Sequence, residues 1–210
     1  KPAVAPWGGM GQVRLRISAR AANEAQGNNL REPIGREIKQ IAGENYFGSD
    51  EDTLASVVGQ LLVAKDQTLA VAESCTGGGL GQMLTDIPGS SSYFMGGIIS
   101  YANRVKIDLL GVNEEDLAAE GAVSKTVACQ MAVGVKARLG TDWGVSITGV
   151  AGPGGGTETK PVGLVYIGIA LPNGEVEGIK YQLGSQQERE LIRQMSAAQS
   201  LDLLRRRLSG

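Results

Sequence analysis

Val13-Arg14-Leu15-Arg16-Ile17-Ser18-Ala19 alternates apolar and polar residues with a period of two, which predicts a half-buried strand. Residues 1–11, rich in Pro and Gly, read as a linker ahead of it. After it the period changes. Leu30, Ile34, Ile38 and Ile41 recur at spacings of three and four, predicting a helix over about 21–42, with Pro33 in a first turn where a missing N–H costs little. Asn45-Tyr46-Phe47-Gly48 reads as a short closing strand. A β-α-β stretch of this size is too small for a large core, so residues 1–48 form a small α+β connecting module.

The main domain, residues 49–210, opens on Ser49 and Asp52 at capping-box spacing. Leu54, Val57, Val58, Leu61 and Leu62 then make an amphipathic helix to about residue 65. Buried strands are expected at 68–72, 96–101, 143–148 and 162–171, with a hairpin turn at 172–175 and a partner strand at 176–183. Helices are expected at 80–85, 105–110 with Asn103 as its cap, 114–119 capped by Asn113, and 124–139 ended by Gly140. Ser185 and Glu188 give a second capping-box signal before a terminal helix to about residue 208. Strands alternating with helices, then a hairpin, predict an α/β fold: a three-layer α/β/α domain with a mixed sheet.

Composition narrows the chemistry. In 210 residues there is no histidine, which excludes every Ser-His or Cys-His arrangement and removes the commonest zinc ligand. Two cysteines, Cys75 and Cys129, make no disulfide framework and read as reduced cytosolic thiols. A net charge of −2 is not that of a nucleic-acid binder, no apolar run is long enough for a transmembrane helix, and no signal-peptide pattern is present. The chain starts at Lys1 in mid-pattern and reads as a piece of a longer cytoplasmic polypeptide.

Candidate chemistry concentrates in residues 70–106. Ser74-Cys75-Thr76-Gly77-Gly78 puts hydroxyls and backbone amides where a strand passes into a helix, a place that suits a bound anion or simple N-capping by Ser74 or Thr76. The required Gly-Lys-Ser/Thr of a Walker motif is missing. The loop 149–157, with Gly149 and Gly152, allows close backbone approach to a ligand or serves as a connector. Two such turns after strands of one sheet favour a ligand. Ser91, Tyr101 and Lys106 offer a nucleophile, a proton relay and, if desolvated, a neutral base, with Asn103 or the 89–92 amides as oxyanion donors. A turn serine and a solvent-facing Tyr and Lys fit the same pattern.

Ala72-Glu73-Ser74-Cys75-Thr76-Gly77-Gly78, Gly89-Ser90-Ser91, Ser100-Tyr101-Ala102-Asn103-Arg104-Val105-Lys106, Gly121-Ala122-Val123-Ser124, Gly149-Val150-Ala151-Gly152-Pro153-Gly154-Gly155 and Lys160-Pro161-Val162-Gly163 resemble, in order, the signature blocks of the CinA C-terminal family of nicotinamide-nucleotide amidases. The resemblance runs from about residue 50 to the end. It implies hydrolysis of nicotinamide mononucleotide to nicotinate mononucleotide and ammonia, with Ser91 as nucleophile, Tyr101 and Lys106 assisting, and no metal or cofactor. It places Ser74, Thr76 and Thr148 at the substrate, and Gly77, Gly78, Asn103, Gly149 and Gly152 of the turns read above are candidate substrate contacts beside them. Arg189, four residues before Arg193, falls near the family's Arg at the last helix but displaced by an insertion. Residues 1–48 resemble the connecting module of longer CinA proteins, which implies an N-terminal domain as partner in the full-length chain; family members commonly self-associate, so a homodimer is expected. A nucleotide-binding regulatory module without turnover is the alternative reading.

Overall fold

The computed structural model describes residues 2–9 and 12–210. The chain divides into two compact units, Lys1–Asp50 and Glu51–Gly210.

In the first unit, strand β1 (Ala3–Gly9) pairs antiparallel with β2 (Gln12–Ser18), Trp7 opposite Arg14. The expected linker is thus a strand over most of its length; Lys1, Met10 and Gly11 lie outside the described residues. Two strands alone bury little, which is why the alternation at β2 leaves most of its residues exposed rather than half-buried. Helix α1 (Glu24–Ala42) starts at Asn23, whose side chain accepts from the Gln26 N–H. Pro33 sits inside this helix, not in its first turn. Gly43–Asn45 form a 3-10 turn, and the expected closing strand at 45–48 does not form.

In the second unit the five-stranded sheet has the order β4-β3-β5-β6-β7. β3 (Leu69–Glu73) lies parallel to β4 (Phe94–Ile99) on one side and β5 (Trp143–Gly149) on the other. β6 (Leu164–Ala170) and β7 (Val176–Gln182) continue antiparallel as a hairpin. Helices α4 (Asn103–Leu110), α5 (Glu114–Glu120) and α6 (Lys125–Leu139) cover one face. Helices α2 (Leu54–Ala64), α3 (Gly79–Thr85) and α7 (Arg189–Ser209) cover the other. This is the three-layer α/β/α arrangement with a mixed sheet. Ala70 and Ala72 of β3 pack with Leu110, Val112, Leu117, Val127, Met131 and Val135 in one continuous core.

Three caps differ from expectation. α2 is capped by Thr53 in a capping box with Ser56, because the helix begins one turn later than the Ser49 signal suggests. Ala102 rather than Asn103 precedes α4, and Asn103 is its first residue. Glu188 precedes α7 without a side-chain cap bond, so the Ser185 signal is not used. Asn113 and Ser124 cap α5 and α6 as expected. Among the described residues no helix is long and apolar enough to cross a membrane.

Candidate active site

Three parallel strands end side by side, and the segments leaving them converge at that edge. β3 runs into Ser74, β4 into Ser100 and Tyr101, and β5 into the glycine loop from Gly149. Backbone bonds tie these ends together: the Ser74 N–H donates to Ile147 O (3.0 Å) and the Ser100 N–H to Glu73 O (2.8 Å). The chain leaves β3 for β4 on one side and later lays β5 on the other. Ser74 therefore stands where neighbouring connections diverge, the usual position of a ligand crevice in an open α/β sheet.

The turn after β3 is shaped by a buried carboxylate. Glu73, 2% exposed, accepts from the N–H groups of Gly78 (3.0 Å), Leu80 (3.1 Å) and Gly81 (2.8 Å). Gly77 and Gly78 supply the left-handed backbone (φ 59° and 99°) that lets the chain fold back over it. The start of α3 is thus occupied by the Glu73 side chain, which takes three of the amides that the Ser74-Cys75-Thr76-Gly77-Gly78 turn would offer a bound anion. Thr76 is fully buried, and its Oγ1, like Ser100 Oγ, has no hydrogen-bond partner among the described residues.

Lys106 projects inward from α4 and is 1% exposed. Its Nζ lies 3.1 Å from Ser74 Oγ, 2.6 Å from Ser100 O and 3.4 Å from Tyr101 O. Desolvation lowers its pKa from the ordinary 10.5, the nearby Cys75 opposing in part. In all three contacts Nζ donates, to Ser74 Oγ and to the two carbonyls; a neutral amine in the same place would hold the two carbonyls with its N–H groups and turn its lone pair to the Ser74 hydroxyl. Cys75, next in the chain, is buried. Burial pushes its thiol up to about 11, offset in part by its own backbone N–H.

Ser91 is not brought to this cluster. It lies exposed in the 3-10 turn Ser90–Ser92 ahead of β4, whereas Lys106 reaches the carbonyl just after β4. The six-residue strand, about 20 Å long, separates them. The expected pairing of Ser91 with Lys106 gives way to one of Ser74 with Lys106. The signal was available: Ser74 directly follows a fully buried strand, at its carboxyl end.

The remaining expected residues divide. Tyr101 is exposed and its hydroxyl accepts from Arg189 Nη2 (3.3 Å), while Arg189 Nη1 donates to Gly152 O (2.7 Å). Arg189 thus reaches the site, holding the loop after β5 against Tyr101. Gly149 closes β5 and has no room for a side chain, since a Cβ would lie 2.8 Å from Leu164 O. Thr148 is buried and its hydroxyl donates to Ala122 O (2.8 Å), so it braces the structure rather than facing a ligand. Asn103 is exposed at the start of α4. Arg193, outside the expected set, grips the turn after Ser74 from α7: Nε donates to Cys75 O (3.2 Å) and Nη2 to Thr76 O (2.8 Å).

Comparison with known proteins is consistent along the whole chain. Residues 51–208 match the profile of the CinA C-terminal domain, and residues 1–48 that of the damage-inducible protein CinA KH domain. CinA-like proteins of Gloeothece citriformis and Nostoc punctiforme are 62% and 63% identical over 207 residues, covering 99% of this chain and 50% of theirs. The chain therefore spans about half the length of these relatives. The crystal structure of competence/damage inducible protein CihA from Agrobacterium tumefaciens aligns with a TM-score of 0.70 at 35% identity, over 78% of this chain and 100% of that one. The competence damage-inducible protein A of Klebsiella pneumoniae aligns with a TM-score of 0.71 at 28% identity, over 74% and 95%.

Proposed function

The chain belongs to the CinA family, and from that premise we propose that residues 49–210 are an amidohydrolase acting on the carboxamide of nicotinamide mononucleotide, with Ser74 as nucleophile and Lys106 as base. The observation that carries this is the contact of a buried, desolvated Lys106 amine with Ser74 Oγ at the carboxyl end of β3.

Ser74 Oγ adds to the carboxamide carbon as its proton passes to Lys106 Nζ. The carbonyl π pair moves onto oxygen. On collapse the C–N bond breaks, and Lys106 returns the proton to the leaving nitrogen, which departs as ammonia. Water then adds to the Ser74 ester, giving its proton to Lys106. The ester C–O bond breaks, Ser74 recovers a proton, and nicotinate mononucleotide leaves. Tyr101 and Arg189 stand at the open side of the site, where Arg189 meets the nucleotide phosphate with the N–H groups not spent on Gly152 O and Tyr101 OH. Residues 1–48 connect this domain to the N-terminal half of the longer relatives, and the protein works in the cytoplasm.

The test is ammonia release from nicotinamide mononucleotide in the presence of EDTA. Ser74→Ala and Lys106→Met each reduce kcat by about 10³-fold or more while the fold is kept, and Ser91→Ala leaves it within about threefold. Binding of the nucleotide without turnover by the unmodified protein would replace this reading with that of a regulatory module.

A further inference from the structure

Tyr101 is held at both ends by the groups that frame the site. Its backbone oxygen accepts from Lys106 Nζ (3.4 Å), and its hydroxyl accepts from Arg189 Nη2 (3.3 Å). Both cations stand near the turn after β3: burial pushes the Cys75 thiol up, and the charges of Lys106 and Arg189 each pull it back in part. The phenol ring therefore runs along the rim from the base to the guanidinium, and the residue is 62% exposed. Among the described residues of the second unit no other aromatic side chain is exposed: Tyr93 and Trp143 are buried, and Phe94, Tyr166 and Tyr181 are half-buried. The Tyr101 hydroxyl is not in the path of the proton, because Lys106 meets the carbonyl of this residue and Arg189 takes the hydroxyl. What the side chain offers a ligand is the face of its ring.

The substrate of the proposed reaction presents its groups in the same order. Its carboxamide meets Ser74 and Lys106, its phosphate meets Arg189, and the ring that joins the carboxamide to the ribose phosphate lies between. That ring is a pyridinium and carries a positive charge. Glu73, the carboxylate next to Ser74, is buried and spent on three amides. An aromatic face attracts a cation through the negative face of its quadrupole, and most strongly where water is displaced. Arg189 meets Tyr101 at the hydroxyl edge, and among the described residues no cation lies over the ring. Resting on the amidase reading above, we infer that Tyr101 is a specificity-determining residue: the face of its ring receives the pyridinium ring of the substrate and selects the charged, oxidised nicotinamide ring over a neutral one.

The reduced dihydro form of nicotinamide mononucleotide keeps the carboxamide, ribose and phosphate and has a neutral ring, so the two forms isolate the charge. Their Kd values are measured by calorimetry on the full chain carrying Ser74→Ala, alone and combined with Tyr101→Leu or Tyr101→Phe. Ser74→Ala alone binds the oxidised form about tenfold more tightly than the reduced form. Tyr101→Leu brings the two within about twofold, the loss falling on the oxidised form, whereas Tyr101→Phe keeps the ring and a preference of about fivefold or more. A Tyr101→Leu chain that weakens both forms equally overturns the inference in favour of a residue that only shapes the site. A Tyr101→Phe chain that loses the preference as fully as Tyr101→Leu overturns it in favour of the hydroxyl and Arg189. Should Tyr101→Leu fail to fold, Tyr101→Trp offers a larger face, and a preference below that of Ser74→Ala alone overturns the inference as well. Ammonia release by the unmodified chain is followed in parallel. Release, with a preference that ignores Tyr101, removes this role alone. No release removes the amidase reading, and a preference that still depends on Tyr101 then leaves the ring as the binding face of a module without turnover.

Discussion

In the proposed reaction Lys106 is the base, and its environment sets a sign that can be measured. An amine acts as a base only after losing its proton. Desolvation lowers the Lys106 value below 10.5, so activity climbs with pH through an apparent pKa beneath the ordinary lysine range. A profile of kcat/KM that rises only near 10.5 would contradict a desolvated base. Cys75 supplies the control. Its thiol stays protonated, its value being raised to about 11, so Cys75→Ala keeps activity within about threefold. A loss as large as that of Ser74→Ala would give the nucleophile's role to the thiol.

At the scale of elements, the sheet holds the site still because α6 lies directly on backbone. Gly144, Gly168 and Gly178 sit on β5, β6 and β7 beneath this helix. A Cβ on Gly168 would come within 2.3 Å of Ala128 O, and one on Gly144 within 2.2 Å of Ala132 O. Neither carbonyl can move without breaking the helix ladder. Gly168→Ala should cost about 2 to 3 kcal/mol in a denaturant melt, as overpacking of a tight core does. A variant as stable as the parent would mean that α6 can lift off the sheet. Most elements here were legible in the sequence, since Val127, Met131 and Val135 repeat at helical spacing and the strands are unbroken apolar runs. The depth of the helix–sheet contact was not, because glycines in strands read the same whether they bend the chain or admit a neighbour. Caps were less legible: Thr53, Ala102 and Glu188 precede helices whose nearby Ser49, Asn103 and Ser185 carry stronger cap chemistry.

For the whole molecule, the second unit contains its own sheet, both helical layers and every member of the Ser74–Lys106 cluster. Residues 51–210 produced alone should therefore unfold in a single cooperative transition and keep ammonia release within about threefold of the full chain. Loss of activity in a folded fragment would give residues 1–50 a part in catalysis. The sequence placed Tyr101, Lys106 and the glycine loop in one neighbourhood, because they come after recognisable strands. It set Ser91 beside Lys106 where the structure sets Ser74, since both serines sit in small-residue turns and only the parallel register puts Ser91 at the far end of β4. Arg193 was harder still: no local pattern tells a guanidinium gripping a distant turn from one facing water. That grip also orders events in time. The turn at Ser74 is synthesised well over a hundred residues before the guanidinium that grips it, so the turn is complete only after α7 has been made and has docked.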